Sequence, residues 1–132
     1  EAIDVMHRFW TGSWPENRVP KIHSATLNGK TRYESVHLKA GKKYQIDYEF
    51  EDPDNDELSV EIDIMQESTD LRQGGDLENR PVSLNFELVS KTDSTAEFIC
   101  PDERGAYRIF VYARDDHNNT AAVNIPFYVE EK

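Results

Sequence analysis

Two short acidic stretches offer the chain's densest supply of hard oxygen ligands. D-P-D-N-D occupies residues 52–56 and R-D-D-H-N-N residues 114–119. If the two loops lie at one end of a fold, Asp52, Asp54, Asp56, Asp115, Asp116 and Asn118 can converge on a cation. Calcium, which takes about 6–8 oxygen ligands, is the ion such a set suits. The competing reading is two solvated turns, because turns select Asp and Asn for backbone reasons alone. An EF-hand loop is excluded, since Glu57 stands where that loop needs Gly and Asp63 where it needs Glu.

A second set is aromatic. Phe110, Tyr112 and Tyr128, with the two tryptophans Trp10 and Trp14, offer flat apolar faces, and Glu61, Arg108, Arg114 and Asn124 offer hydrogen-bonding groups. A sugar ring presents C–H groups to an aromatic plane and hydroxyls to such polar side chains, so the combination suits carbohydrate. The alternative is that the aromatics pack under a loop, under the N-terminal segment or against a neighbouring domain.

Catalysis finds little support. Carboxylates are plentiful, but a small sandwich lacks the cleft that holds two carboxyls across a glycosidic bond. His7, His23, His37 and His117 show no metal spacing and no companion nucleophile, and the lone Cys100 reads as a small buried side chain. The chain is therefore expected not to be an enzyme. N-N-T at 118–120 matches a glycosylation sequon, a match of low specificity.

The elements that must hold these residues are strands. In K-Y-Q-I-D-Y-E-F-E, residues 43–51, Tyr44, Ile46, Tyr48 and Phe50 face one way and the polar residues the other. Leu58, Val60, Ile62 and Ile64 repeat the pattern, as do Val82, Leu84, Phe86 and Leu88. Residues 95–100, 107–114 and 120–129 supply further strands, and short pieces at 22–27 and 35–38 complete a set of about seven. That number predicts an all-β, immunoglobulin-like β-sandwich of antiparallel strands. No helix pattern of useful length is seen, and residues 67–81 form a long loop broken by Gly74, Gly75 and Pro81. Pro126 removes a backbone donor and predicts an edge or a bulge in the last strand.

Parity follows from P-D-E-R-G-A-Y-R-I at 101–109. Tyr107 resembles the tyrosine corner of immunoglobulin-like domains, whose hydroxyl bonds back across the turn. With Tyr107 inward, Ile109, Val111 and Ala113 are inward too. Arg108, Phe110, Tyr112 and Arg114 then face out, beside Asn124, Pro126 and Tyr128 on the last strand and Glu61 and Asp63 on the other neighbour.

Composition bounds the partners. At 132 residues the chain is one domain in length, and 26 Asp+Glu against 15 Lys+Arg leave a net charge of −11. That balance argues against nucleic acid and against an anionic membrane surface, and no run is long and apolar enough to span a bilayer. The chain opens at Glu1 with no initiator methionine or leader pattern, and is read as a piece of something larger. Residues 1–13 are expected to be a linker or N-terminal extension and 14–132 the sandwich module. Trp14 is expected to close the end of the core, and Trp10 to meet a sugar or a former neighbour domain.

W-P-E-N-R-V-P, L-K-A-G-K-K-Y, E-D-P-D-N-D-E-L-S-V, E-S-T-D-L-R-Q-G-G-D-L-E-N-R-P and G-A-Y-R-I-F-V-Y-A-R-D-D-H-N-N-T-A-A-V-N-I-P-F follow one another in order. Together they resemble the immunoglobulin-like (PKD or cadherin-like) domain found after the TIM-barrel catalytic domain of some bacterial glycoside hydrolases. The resemblance covers most of the chain from Trp14 onward. It implies a non-catalytic accessory role, often carbohydrate binding, in a secreted, extracellular bacterial enzyme that degrades polysaccharide, with an attached hydrolase domain as neighbour; the outward aromatics of residues 107–114 add the expectation of a polysaccharide partner of the β-glucan class. Asn55 stands where related D-P-D-G-D loops have Gly, a change Asn tolerates in a left-handed turn. The expected unit is a monomer. A structural spacer or docking module, stiffened by calcium and without glycan binding, is the alternative.

Overall fold

The computed structural model describes residues 2–70, 77 and 79–131. Among the described residues one helix, α1 (Ala2–Thr11), precedes eight strands: β1 (Lys21–Leu27), β2 (His37–Lys39), β3 (Lys43–Glu51), β4 (Ser59–Gln66), β5 (Leu88–Lys91), β6 (Thr95–Ile99), β7 (Gly105–Arg114) and β8 (Thr120–Glu130). They form two four-stranded sheets, ordered β1-β3-β6-β5 and β2-β8-β7-β4. This is the immunoglobulin-like arrangement, in which the first, second, fifth and fourth strands share one sheet and the third, sixth and seventh the other.

The two short pieces expected at 22–27 and 35–38 are β1 and β2, halves of a first strand divided between the sheets. A tight turn, in which Leu27 and Lys30 exchange backbone hydrogen bonds with Asn28 and Gly29 at φ 51° and 74°, ends β1 in the first sheet. The chain then enters the second sheet as β2. There it pairs parallel to β8, His37 opposite Tyr128, so the sandwich is not wholly antiparallel.

Alternation packs the core as expected. Ile46 and Tyr48 of β3, Ile64 of β4, Ala96 and Phe98 of β6, Ile109 and Val111 of β7 and Val123, Ile125 and Phe127 of β8 make one buried cluster. Tyr107 forms the corner, its hydroxyl donating to the Glu103 carbonyl at 2.9 Å while its ring lies parallel to Phe127. Cys100 is buried in the same cluster, and that burial, with Asp102 nearby, pushes its thiol up to about 11.

Three local expectations are corrected. The alternating run from Val82 to Leu88 is not one strand: the Leu84 amide donates to Ile64 of the second sheet, whereas the Glu87 carbonyl accepts from Ile99 of the first. A segment that crosses between sheets over the sandwich edge shows alternation without a ladder, and Val82 is left exposed. Pro126 does not lie in an edge strand, since β8 sits between β2 and β7. Tyr128 N donates to Val36 O, and Pro126 two residues earlier points its nitrogen the same way, past the end of β2. The donor it lacks has no strand to meet there.

The third correction is α1, a helix where no helix was expected, within the residues read as a linker or N-terminal extension. Gly12 at φ 81° donates to the Arg8 carbonyl at 2.9 Å and closes the helix in the left-handed manner glycine permits. Ten residues are too few to hold a helix alone, so tertiary bonds matter. Asp4 supplies one: buried, it accepts from the Val19 amide at 3.0 Å. Of the long loop at 67–81, residues 71–76 and 78, with Gly74 and Gly75, lie outside the described residues.

The corner gives a direct test of the parity that the site depends on. Tyr107→Phe should lower stability by about 1 kcal/mol, the worth of one hydrogen bond with the ring retained. Urea unfolding measures it, and an unchanged midpoint would show that the hydroxyl does not brace the turn.

Candidate functional site

The parity of β7 sets the outer face of the second sheet. Glu61 lies opposite Tyr112 and Asp63 opposite Phe110 across the β4–β7 ladder, and Phe110 lies opposite Asn124 across β7–β8. Phe110 and Tyr112 are half-buried, with ring planes within 3° of parallel and centroids 6.0 Å apart. They stand side by side on the strand as a pair of parallel rings.

Polar groups surround the pair. Arg108 is clamped by Glu67, to which Nε and Nη2 donate at 3.0 and 2.8 Å, and its Nη1 donates to Asn124 Oδ1 at 2.8 Å. Arg114 lies 3.9 Å from Glu61 at the other end. Ser83 Oγ donates to Asp63 Oδ2 at 2.7 Å. A shallow depression toward the Arg108 end of the ring pair is lined by Met65, Arg80, Pro81 and Arg108, and one toward the Arg114 end by Glu61, Asp63, Lys91 and Arg114, with Arg80 lining both. Beyond the Arg108–Glu67 pair a third depression holds Tyr33, His37 and Tyr128. Tyr128 there accepts from Arg104 Nε at 3.0 Å, and that bond raises the guanidinium's affinity for its proton.

Of the nine residues expected to meet sugar, seven share this face: Glu61, Arg108, Phe110, Tyr112, Arg114, Asn124 and Tyr128. Trp10 and Trp14 do not join them. Both stand on the N-terminal arm, which is bonded to the acidic loops instead. Trp10 is 72% exposed on α1. Trp14 does not close the core: it is 39% exposed and held between the guanidinium groups of Arg8 and Arg18, 4.5 and 4.2 Å from its ring centroid. Guanidinium on both ring faces is a favourable electrostatic contact that keeps the indole ordered outside the core.

The acidic loops do meet, but the expected ligands divide. Carboxylate oxygens of Asp52, Asp56 and Asp115 lie within 4.8 Å of one another, and Asp56 also groups with Asp116 and His117. Asp54 turns away to accept from the Arg18 amide at 2.6 Å. Asn118 serves the backbone at φ 67°, as Asn55 does at φ 66° in the other loop. These groups are placed to hold a metal ion, with Asp52 and Asp115 buried.

Several residues in both places were not visible as candidates. Glu67, Arg80 and Tyr33 come to the face from loops, where no periodicity assigns a direction. Asn17 reaches the acidic end from the arm, donating from Nδ2 to Asp56 Oδ2 at 2.6 Å and to His117 Nδ1 at 3.0 Å, while its Oδ1 accepts from Asn119. Its only signal is an Asn held between Pro15 and Pro20, in a segment too extended to be filler.

No protein-family model matches the chain, and no curated protein matches it by sequence. Its fold is similar to part of a nucleoside hydrolase-related hypothetical protein from Saccharophagus degradans that is associated with carbohydrate metabolism. The match has a TM-score of 0.55 at 20% identity over 86% of this chain, and the chain spans 26% of that protein's length. Lower similarity is found to PcoC, a methionine-rich copper resistance protein from Escherichia coli (TM-score 0.44, 16% identity, 86% of this chain and 100% of that one). Murine CRIg gives 0.46 at 11% identity, over 87% and 99% of the two chains.

The placement of Trp14 carries its own expectation. Trp14→Ala should lower stability by about 1–2 kcal/mol, as two partly exposed cation–π contacts are lost, whereas Trp10→Ala should leave it unchanged. Thermal melts of the two variants measure this, and equal melting temperatures would contradict the sandwich between the arginines.

Proposed function

We propose that the chain is a non-catalytic carbohydrate-binding module that holds an attached glycoside hydrolase near a β-linked polysaccharide, with β-glucan the class it fits best. The observation that carries this reading is the Phe110–Tyr112 pair, parallel and half-exposed, with hydrogen-bonding side chains opposite it on both neighbouring strands. A flat sheet face with paired rings suits the extended, ribbon-like chain of a β-linked glucan. Stacking gives contact area, and Glu61, Arg108, Arg114 and Asn124 give orientation. The Arg108–Glu67 pair arranges its donors before any ligand arrives, which lowers the ordering cost of binding. Tyr128, beyond that pair, extends the platform along the face.

The Saccharophagus degradans protein supports the setting, since a sandwich of this kind forms about a quarter of a chain associated with carbohydrate metabolism. In this reading the parent is a secreted bacterial enzyme and the module acts as a monomer, raising local substrate concentration without doing chemistry. Calcium at the acidic end is a structural ion, apart from the sugar face.

One observation favours a second reading, a docking or spacer module. Ile3, Phe9 and Trp10 leave an apolar side of α1 exposed at 76, 82 and 72%. Under that reading Phe110 and Tyr112 are also covered by a neighbour, and glycan has no effect on the chain.

Affinity electrophoresis separates the two. Migration should be retarded in gels containing hydroxyethyl cellulose, xyloglucan or lichenan. Phe110→Ala and Tyr112→Ala should each weaken that retention by about 1–1.5 kcal/mol, close to tenfold, at little cost in stability. Wild-type migration unchanged in all of these and in mannan would remove the carbohydrate reading.

A further inference from the structure

The acidic end poses a problem of charge. Asp52, Asp56 and Asp115 bring carboxylate oxygens within 4.8 Å of one another, and like charges so placed repel. Asp52 and Asp115 are only 7 and 5% exposed, so water does little to screen them. Among the described residues no lysine or arginine pairs with any of the three, and the imidazole Nδ1 of His117 stands 3.4 Å from Asp56 alone. Arg18 is close in sequence to the arm's contacts, but its guanidinium lies over Trp14.

Hydrogen bonds account for only part of the set. Asp52 Oδ1 accepts from the amides of Asp54 and Asp56 at 2.8 and 3.2 Å, as Asp115 Oδ1 does from His117 and Asn119, both at 2.8 Å. Asp115 Oδ2 accepts from Asn119 Nδ2 at 3.0 Å. Asp52 Oδ2 is sealed from solvent and has no hydrogen-bond partner at all. A buried carboxylate oxygen without a donor is costly, and it calls for a cation where turn geometry alone does not.

We infer that Asp52, Asp56 and Asp115 hold a calcium ion, and that this ion latches the N-terminal arm onto the sandwich through Asn17. The donor chemistry selects the ion. Three hard carboxylates with side-chain amides beside them suit calcium, whose coordination is flexible in number and angle. Magnesium demands a stricter octahedron, and zinc prefers nitrogen or sulfur. The imidazole of His117 groups with Asp56 and the exposed Asp116 and not with the buried pair Asp52 and Asp115. Asn17 already contacts Asp56 and Asn119, and with the ion bound its carboxamide turns to present Oδ1 to the ion in place of Nδ2, giving up the bond that Oδ1 otherwise accepts from Asn119. The arm is then held at a second point by the Arg18 amide on Asp54, and Arg18 passes the contact to Trp14. Calcium thus governs where α1 and its apolar side sit relative to the sandwich. The inference goes beyond the carbohydrate reading, and neither Phe110 nor Tyr112 takes part in it.

Calorimetric titration of the whole chain with calcium chloride, with melts in calcium and in chelator, tests it. One site is expected, with a rise in melting temperature of about 10 °C when calcium is roughly a hundredfold above its dissociation constant. Asp52→Asn should weaken binding by roughly a hundredfold, since it removes a ligand charge. In chelator it should melt no lower than wild type. Should Asp52→Asn fail to fold, Asp56→Asn, at a half-buried position, carries the same expectation. Asn17→Ala should weaken binding by roughly tenfold and abolish the calcium-dependent change in tryptophan fluorescence. Equal melts in calcium and chelator with no binding heat would overturn the site. Wild-type affinity in Asn17→Ala would overturn the latch, and an equal response to magnesium would overturn the choice of ion.

Discussion

The orientation of Tyr107 is the constraint on which the rest of the molecule depends. Its hydroxyl bonds to Glu103 and its ring lies against Phe127, so the first turn of β7 can enter the sheet in one parity only. A shift of one residue would send every side chain of that strand to the opposite face. With the parity set, Ile109, Val111 and Ala113 fill the core, and Arg108, Phe110, Tyr112 and Arg114 must face out. Because β7 is paired along its length with both β4 and β8, that one choice also aligns Glu61, Asp63 and Asn124 beside the rings.

This is why the face was legible in the sequence. Period-two alternation in residues 43–51, 107–114 and 120–129 names the buried side, and the corner names which side that is. The same logic fails where backbone pairing is interrupted. Leu84 and Phe86 pack against the core, so they alternate as a strand does, yet the chain there is crossing between sheets. The helix was missed for a different reason. Ile3, Met6, Phe9 and Trp10 have helical spacing, with Gly12 as the stop, but ten residues give too short a window to distinguish that from chance.

The N-terminal arm shows how a hydrophilic chain keeps two tryptophans outside its core. Trp14 gains order from two arginines rather than from burial, and Arg18, one of the two, is also bonded through its backbone to Asp54. Asp4 fastens the helix to Val19, and Asn17 fastens the segment to Asp56 and Asn119. Asp54, Asp56 and Asn119 all lie far in sequence from the arm residues they meet, so no local pattern could have announced those contacts. The acidic loops themselves were legible as Asp/Asn turns, whereas the convergence of three carboxylates depends on β3, β4, β7 and β8 ending together.

The molecule thus keeps two features apart in space, an aromatic face on one sheet and an acidic end joined to the arm. The central claim concerns the face. Amide chemical-shift mapping with a cello-oligosaccharide tests it most directly. The account predicts shifts concentrated at Glu61–Asp63, Arg108–Arg114 and Asn124, with the arm and the acidic loops undisturbed. Shifts confined to the arm, or none at saturating oligosaccharide, would contradict it.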